Sequence, residues 1–452
     1  MLRDLGQGER VAGNDLDVAH DVRFTCRRCG DCCRAFAIPL MPGEKEKLER
    51  FDWEAVSPRL RERDLFVRIP GDVAAVEPRF VLGRLDGRCV FLEDDNGCLI
   101  HQQLGYEAKP LACRLFPFVL ALEPFGTVVS ASFACSSVAR QEGAPLRSRE
   151  SEISSLGHDP LWQAAEEAGV ELGGRVRVPE RIVLAADVGL DWYSYQALER
   201  AMVAMLLEPS HTLAVRLLAI YRLVDGAVAE YGRGSKTTSP FATWMEHMTR
   251  GSGERWLYRA EPGDSSGSPG RQRAGLAPLI SLVEARWGPE RDVGRQRWPL
   301  GQVVALARGR GRVFLHSLES EIGLEEMDRV ELDQDSPALQ PLLVSYLEEC
   351  LRRKALLGYP NVLKGTRYLL VYLALVRWYS VAAAVARGRR RAGIEEVREA
   401  IRTVEAGYAH HTLLPRLLAQ HGPSSFLVTL LLDMACSPAD LITNFYVRGA
   451  VG

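Results

Sequence analysis

The stretch Phe24-Thr25-Cys26-Arg27-Arg28-Cys29-Gly30-Asp31-Cys32-Cys33 puts four cysteines into eight positions. Two intervening residues let successive thiolates turn toward one ion or cluster, and zinc knuckles and iron–sulfur loops use this spacing. Gly30 is free to take the left-handed backbone that a tight ligand loop needs. Backbone N–H groups in such a loop help to offset thiolate charge. Four cysteines among glycine and charged neighbours do not read as an apolar core.

Working outward, Cys89, Cys98, Cys113 and Cys135 complete a set of eight. Only Cys350 and Cys436 lie in the rest of the 452-residue chain, and each reads as a small buried hydrophobe. In a reducing compartment, cysteines packed this densely are better explained as metal ligands than as disulfides. Eight thiolates exceed the four that one tetrahedral ion or one cubane cluster takes. Either two sites exist, or one site uses four to six cysteines and the others are spectators. His101, three residues after Cys98, is a ligand or a hydrogen-bonding partner.

Loop signals run through this region: Pro39, Pro42-Gly43, Pro70-Gly71, Asp86-Gly87, Asn96-Gly97 and Pro117. Arg79–Leu82 and Cys89–Leu92 read as a small hairpin about Asp86-Gly87. Gly126–Phe133 is a further strand, and Val176–Leu184 alternates like one despite Pro179. From Trp192 the spacing turns helical. Helices are expected over Tyr193–Glu208, Thr212–Tyr231, Leu276–Trp287, Ala338–Leu357, Val362–Gly388, Glu395–Ala419 and Ser424–Met434, with Pro415 ending or kinking the sixth. The predicted organisation is a lead-in over 1–20, a cysteine-rich metal-binding module over 21–140, a mixed connection over 141–190 and a mainly helical region over 191–452. A flexible linker is expected near 251–275, where GDSSGSPG lies. The fold class is α+β: a small cysteine-rich module with short strands, packed on a mainly α-helical C-terminal region.

Composition excludes some functions. The chain is 47% hydrophobic and 25% charged, with a net charge of -2, so no nucleic-acid or anionic-membrane partner is expected. Tyr368–Ala386 is the most apolar stretch, but Arg377 sits in its middle and Arg387–Arg391 follow. It reads as a buried helix rather than a membrane span. The N-terminus has no apolar core of the signal-peptide kind, so a cytoplasmic protein is expected.

The C-x2-C-x2-C-C run, the Cys89-Val90-Phe91-Leu92…Gly97-Cys98-Leu99-Ile100-His101 segment and Lys109-Pro110-Leu111-Ala112-Cys113-Arg114-Leu115-Phe116-Pro117 together resemble the bacterial CxxCxxCC cysteine-cluster family, regarded as zinc- or iron-chelating. A narrower resemblance is to its flagellin lysine-N-methylase branch. It rests on Leu104–Glu107 between Cys98 and Cys113, on Phe133–Arg140, and on the long helical region that follows. That resemblance implies methyl transfer from S-adenosylmethionine to surface lysines of a flagellin-like partner. Phe118 departs from the basic residue more usual there. No residue stands out as a methyl-transfer base.

Arg114, beside Cys113, is the candidate cofactor-binding residue: a guanidinium there offsets thiolate charge and binds a carboxylate. Arg308-Gly309-Arg310-Gly311 lacks the strand–turn–helix setting of a nucleotide site and reads as a loop. His410-His411 point about 100° apart on a helix and read as solvated or capping. The cysteines thus imply zinc or an iron–sulfur cluster, in a metal-dependent protein-modifying enzyme, a non-enzymatic chelating module with a helical partner-binding platform, or an iron–sulfur electron carrier.

Overall fold

A computed structural model describes residues 16–68, 80–167, 174–185, 188–232, 240–249, 269–287 and 300–409. The architecture is mixed, with short strands gathered toward the N-terminal side and long helices beyond Trp192. A four-stranded sheet runs in the order Leu16–Val18, Gly126–Ala131, Phe118–Glu123, Arg175–Arg177. The central hairpin is antiparallel, pairing Glu123 with Gly126, and both flanking strands lie parallel to their neighbours. Phe118 to Ala121 are all buried, as expected of a strand covered on both faces.

Asp86 and Gly87 both have positive φ, and Arg84–Leu85 pairs with Arg88–Cys89 across them. The expected turn is therefore present, but its strands are shorter than the sequence implies. Phe80–Leu82 pairs instead with Phe66–Arg68. The helices Trp192–Leu207 and Leu213–Tyr231 start where Asp191 and Thr212 accept from the backbone N–H groups of Ser194 and Val215. A helix begins at Pro269, inside the stretch read as linker, because proline suits a first helical turn. Gly309 and Gly311 form the loop between the Leu300–Arg308 helix and the Arg312–Leu315 strand, the reverse of a nucleotide-binding order. The expected helix over Ser424–Met434, with Pro415, His410-His411 and Cys436, lies outside the described residues.

Two apolar cores form among the described residues. The larger joins the sheet to the helices and includes Phe118, Phe133, Tyr195, Tyr346 and Tyr379. The smaller lies within the cysteine-rich segment, around Phe36, Trp53, Phe91 and Ile100, and takes in Ala406 from the far end of the chain. Val362–Ala386 is the one described helix long and apolar enough to cross a membrane, and 78% of its most apolar window is buried inside the protein. Its central Arg377 donates to the Leu332 carbonyl and Gln334. Asn361 caps its start. The arginines after it are paired: Arg387 with Glu396 and Glu399, Arg389 with Glu396, Arg391 with Asp333.

Gly365 lets this helix meet the Ala355–Gly358 turn, since a Cβ there would stand 2.5 Å from the Leu356 carbonyl oxygen. Gly365→Ala is expected to destabilise the fold by about 1–3 kcal/mol in chemical denaturation, as overpacking against backbone does. Glu349 is 4% exposed, and burial pushes its carboxyl up to about 7. A raised folded-state value means the native protein holds this proton more tightly than the unfolded chain. Its stabilising effect is full below about pH 4.5 and is lost as pH rises through 7. Glu349→Gln should therefore gain stability over the parent between pH 5 and pH 8, by at most about 3 kcal/mol, in denaturation curves taken across that range.

Candidate metal centre

The Cys26–Cys33 loop is pinned along its length. The Arg23–Phe24 strand pairs with Ala144–Pro145, Ser137 Oγ donates to the Thr25 carbonyl at 2.6 Å, and Thr25 Oγ1 accepts from Ala144 N at 3.1 Å. Gly30 takes φ +74° and opens the short helix Asp31–Ala35, which carries Cys32 and Cys33. Arg34 folds back to donate to the Cys29 carbonyl (2.9 Å) and to Asn96 (2.7 Å). Asn96 belongs to the turn before Cys98 and also has positive φ. Arg34 thus ties the first pair of cysteine segments together.

Five thiols share one cavity: Cys32, Cys33, Cys89, Cys98 and Cys113. Its other walls are apolar, including Phe36, Ile38, Leu82, Phe91, Ile100 and Phe116, and Lys109 is the cation among its lining residues. Among the described residues, no carboxylate or imidazole side chain lines it. Cys32 and Cys33 hold their sulfurs 3.9 Å apart. Cys113 rides on the Leu111–Leu115 helix, whose start is fixed by Glu44 accepting from the Leu111 N–H at 2.7 Å. Cys135 stands just before the Ser136–Ala139 helix, and its part-buried thiol lies within electrostatic reach of Cys32 and Cys29. Cys26 and Cys29 are exposed. Cys32 thus stands where the cavity group meets Cys29 and Cys135, which with Cys26 make up an outer group beyond the cavity lining.

The electrostatics follow from burial. Desolvation pushes Cys89 and Cys135 up to about 12 and lifts Cys113 well above an ordinary thiol. Cys32 is lifted first by its hydrogen bond with Cys33 and then by burial. Burial pulls Lys109 down, but nearby Cys113, Cys98, Cys32 and Cys26 outweigh it and leave the ammonium favoured. The Cys33 hydrogen bond and burial at Cys32, and burial at Cys89 and Cys113, thus work against the bare thiolate. A soft cation that replaces the thiol protons is what such a donor set suits.

Among the described residues, no three histidine, cysteine, aspartate or glutamate side chains already stand as a set that could hold a metal ion. The structure therefore gathers the cysteine segments around one cavity without gathering the sulfurs onto one point. Cys350 is buried in the helical region beside Arg353, away from this cavity. His101 is exposed, edge-on to Tyr106. Arg114 is engaged elsewhere: its guanidinium donates to Asp159 (2.9 Å), Glu107 (3.0 Å) and the Lys109 carbonyl (3.2 Å). That network holds the Cys113 helix against the segment around Asp159. Sequence reasoning assigned no role to Lys109, Asp31 or Arg402, although the first two lie inside the quoted motifs.

Residues 25–138 match the family model CxxCxxCC, described as "Putative zinc- or iron-chelating domain". The matched stretch contains all eight cysteines of the two groups. No curated protein and no solved structure gives a significant match to the chain.

A Cβ on Gly30 would meet Arg34 Nη1 at 2.5 Å and Asn96 Oδ1 at 2.8 Å, as well as forcing a side chain into the left-handed region. Gly30→Ala is expected to cost about 1–2 kcal/mol and to lower the metal content of the purified protein. Full metal content with unchanged thermal stability would show that the Arg34–Asn96 clamp is irrelevant to the site.

Proposed function

We propose that residues 26–135 hold a thiolate-ligated zinc or iron centre. The observation that carries this is the cavity itself: five thiols from four separate segments line a mainly apolar space in which, among the described residues, Lys109 is the charged side chain and no carboxylate or imidazole takes part. Thiolates in such surroundings favour zinc and iron–sulfur clusters over hard cations. In this reading Cys32, Cys33, Cys89, Cys98 and Cys113 supply the inner donors, and Cys26, Cys29 and Cys135 supply the outer ones. Because each ion or cubane takes about four sulfurs, the eight suffice for two centres sharing the neighbourhood of Cys32. Ligation needs the inner side chains to rotate within the cavity and give up their protons. Lys109 remains to balance the resulting negative charge.

When bound, zinc fixes the loops to one another, whereas an iron–sulfur cluster adds electron transfer. The finer reading is a methyltransferase that uses S-adenosylmethionine to modify surface lysines of a flagellin-like protein partner. It draws on the sequence resemblance over Leu104–Glu107 and Phe133–Arg140. In that reading Arg114 would meet a cofactor carboxylate only by leaving Glu107 or Asp159.

Metal and acid-labile sulfide analysis of anaerobically purified protein tests the proposal. The expected result is zinc or iron at one or more equivalents per chain, lowered in Cys113→Ser and in Cys98→Ser and unchanged in Cys350→Ser. Sulfide together with visible absorption selects the cluster, and colourless zinc protein selects a closed structural site. Parent protein without zinc or iron overturns the proposal.

A further inference from the structure

Cys29, Cys32 and Cys135 are placed by residues far outside the matched domain. Asp31 sits between Cys29 and Cys32 in sequence, and Ser136 directly follows Cys135. Ser136 Oγ donates to Asp31 Oδ2, so one hydrogen bond joins the outer loop to the Cys135 segment. The same oxygen is met by Arg402 Nη2 at 3.1 Å, from the helix Ile394–Val404. One turn on, Glu405 is fully buried and accepts from Ser132 Oγ at 3.3 Å, three residues before Cys135. Tyr346 and Arg353 hold Glu405 from the other side, Tyr346 OH at 3.2 Å and Arg353 Nη2 at 2.9 Å. Ala406 packs into the small core beneath the cysteines. At the other end of the helix, Glu395 pairs with Arg140.

We propose that the metal centre is composite: the Ile394–Val404 helix and its Glu405–Ala406 extension clasp the outer cysteine group, and Arg402 is a positioning residue for it through Asp31 and Ser136. Arg402 touches no candidate ligand, and it orients the segment that carries two of them. Residues hydrogen-bonded to metal ligands commonly change the affinity 10–100-fold when removed, and Arg402 acts one step further out, through Asp31. The isolated domain over 25–138 would lack this clasp, so its cysteines would hold metal less tightly than those of the full chain. The inference rests on the reading of these cysteines as ligands.

The test uses full-length protein loaded with Zn2+ under anaerobic conditions and follows metal transfer to a colorimetric chelator. Arg402→Ala and Asp31→Asn are each expected to release a fraction of the zinc about tenfold faster than the parent. The double variant should be no faster than either single one, since both remove the same link. Arg402→Lys should recover part of the loss. Arg398→Ala, on the same helix but paired with Glu395, should release at the parent rate. Circular dichroism of the metal-free proteins below their thermal midpoints should agree, which separates placement of the ligands from loss of fold. Should Arg402→Ala fail to fold, Arg402→Lys and Asp31→Asn carry the same comparison. Parent-like release from Arg402→Ala and Asp31→Asn overturns the clasp and leaves the metal reading standing. A parent that takes up no zinc and holds no iron overturns both.

Discussion

Sulfur in a dry cavity is neutral or it is paired with a cation. Burial raises the thiols of Cys89 and Cys113 within the cavity, and five cysteine side chains in one mainly apolar cavity make a good place for a soft metal ion. Everything around the cavity holds its walls in place. Arg34 ties the Cys29 backbone to the turn before Cys98, Glu44 anchors the helix of Cys113, and Asp31 joins the first loop to the segment of Cys135. These hydrogen bonds to charged groups run from exposed at Arg34–Cys29 to buried at Glu44–Leu111, and the buried one is worth about 1.5–3 kcal/mol. They do for the ligand loops what regular structure does elsewhere in the chain.

The helical region is part of the same construction. The strands Phe118–Glu123 and Gly126–Ala131 begin just after the Cys113 helix and end just before Cys135, yet their side chains enter the large core shared with Tyr195, Tyr346 and Tyr379. The sheet thereby carries the position of two cysteine segments into the helices. Glu405 closes the loop from the other side by joining Ser132 to Tyr346 and Arg353. A buried carboxylate with three partners tolerates little displacement, because an unpaired charge at that depth is costly.

Much of this was legible in the sequence. The C-x2-C-x2-C-C run, Gly30 and the Asp86-Gly87 and Asn96-Gly97 turns announce themselves through backbone chemistry that only a few residues satisfy. The Trp192–Leu207, Leu213–Tyr231 and Val362–Ala386 helices show in apolar spacing and in capping residues. Other features were not legible, for physical reasons. The helix expected over Ala338–Leu357 closes at Arg352 because Lys354 adopts φ +59° and is buried between Glu123 and Glu199, an arrangement set by tertiary contacts. Asp31 and Arg402 look like surface charges until the chain brings them together from 371 positions apart. Arg114 has the right neighbour for a cofactor role, and nothing local reveals that Glu107 and Asp159 take up its donors.

The most direct test of the central claim looks at the metal rather than at the protein. X-ray absorption at the zinc or iron edge of anaerobically purified full-length protein reports the first coordination shell. The account expects sulfur neighbours at about 2.3 Å, numbering near four per metal, with iron–iron scattering added if the centre is a cluster. A shell made mainly of oxygen and nitrogen would contradict it, since thiols and the Lys109 ammonium are the polar side chains in the described lining of the cavity.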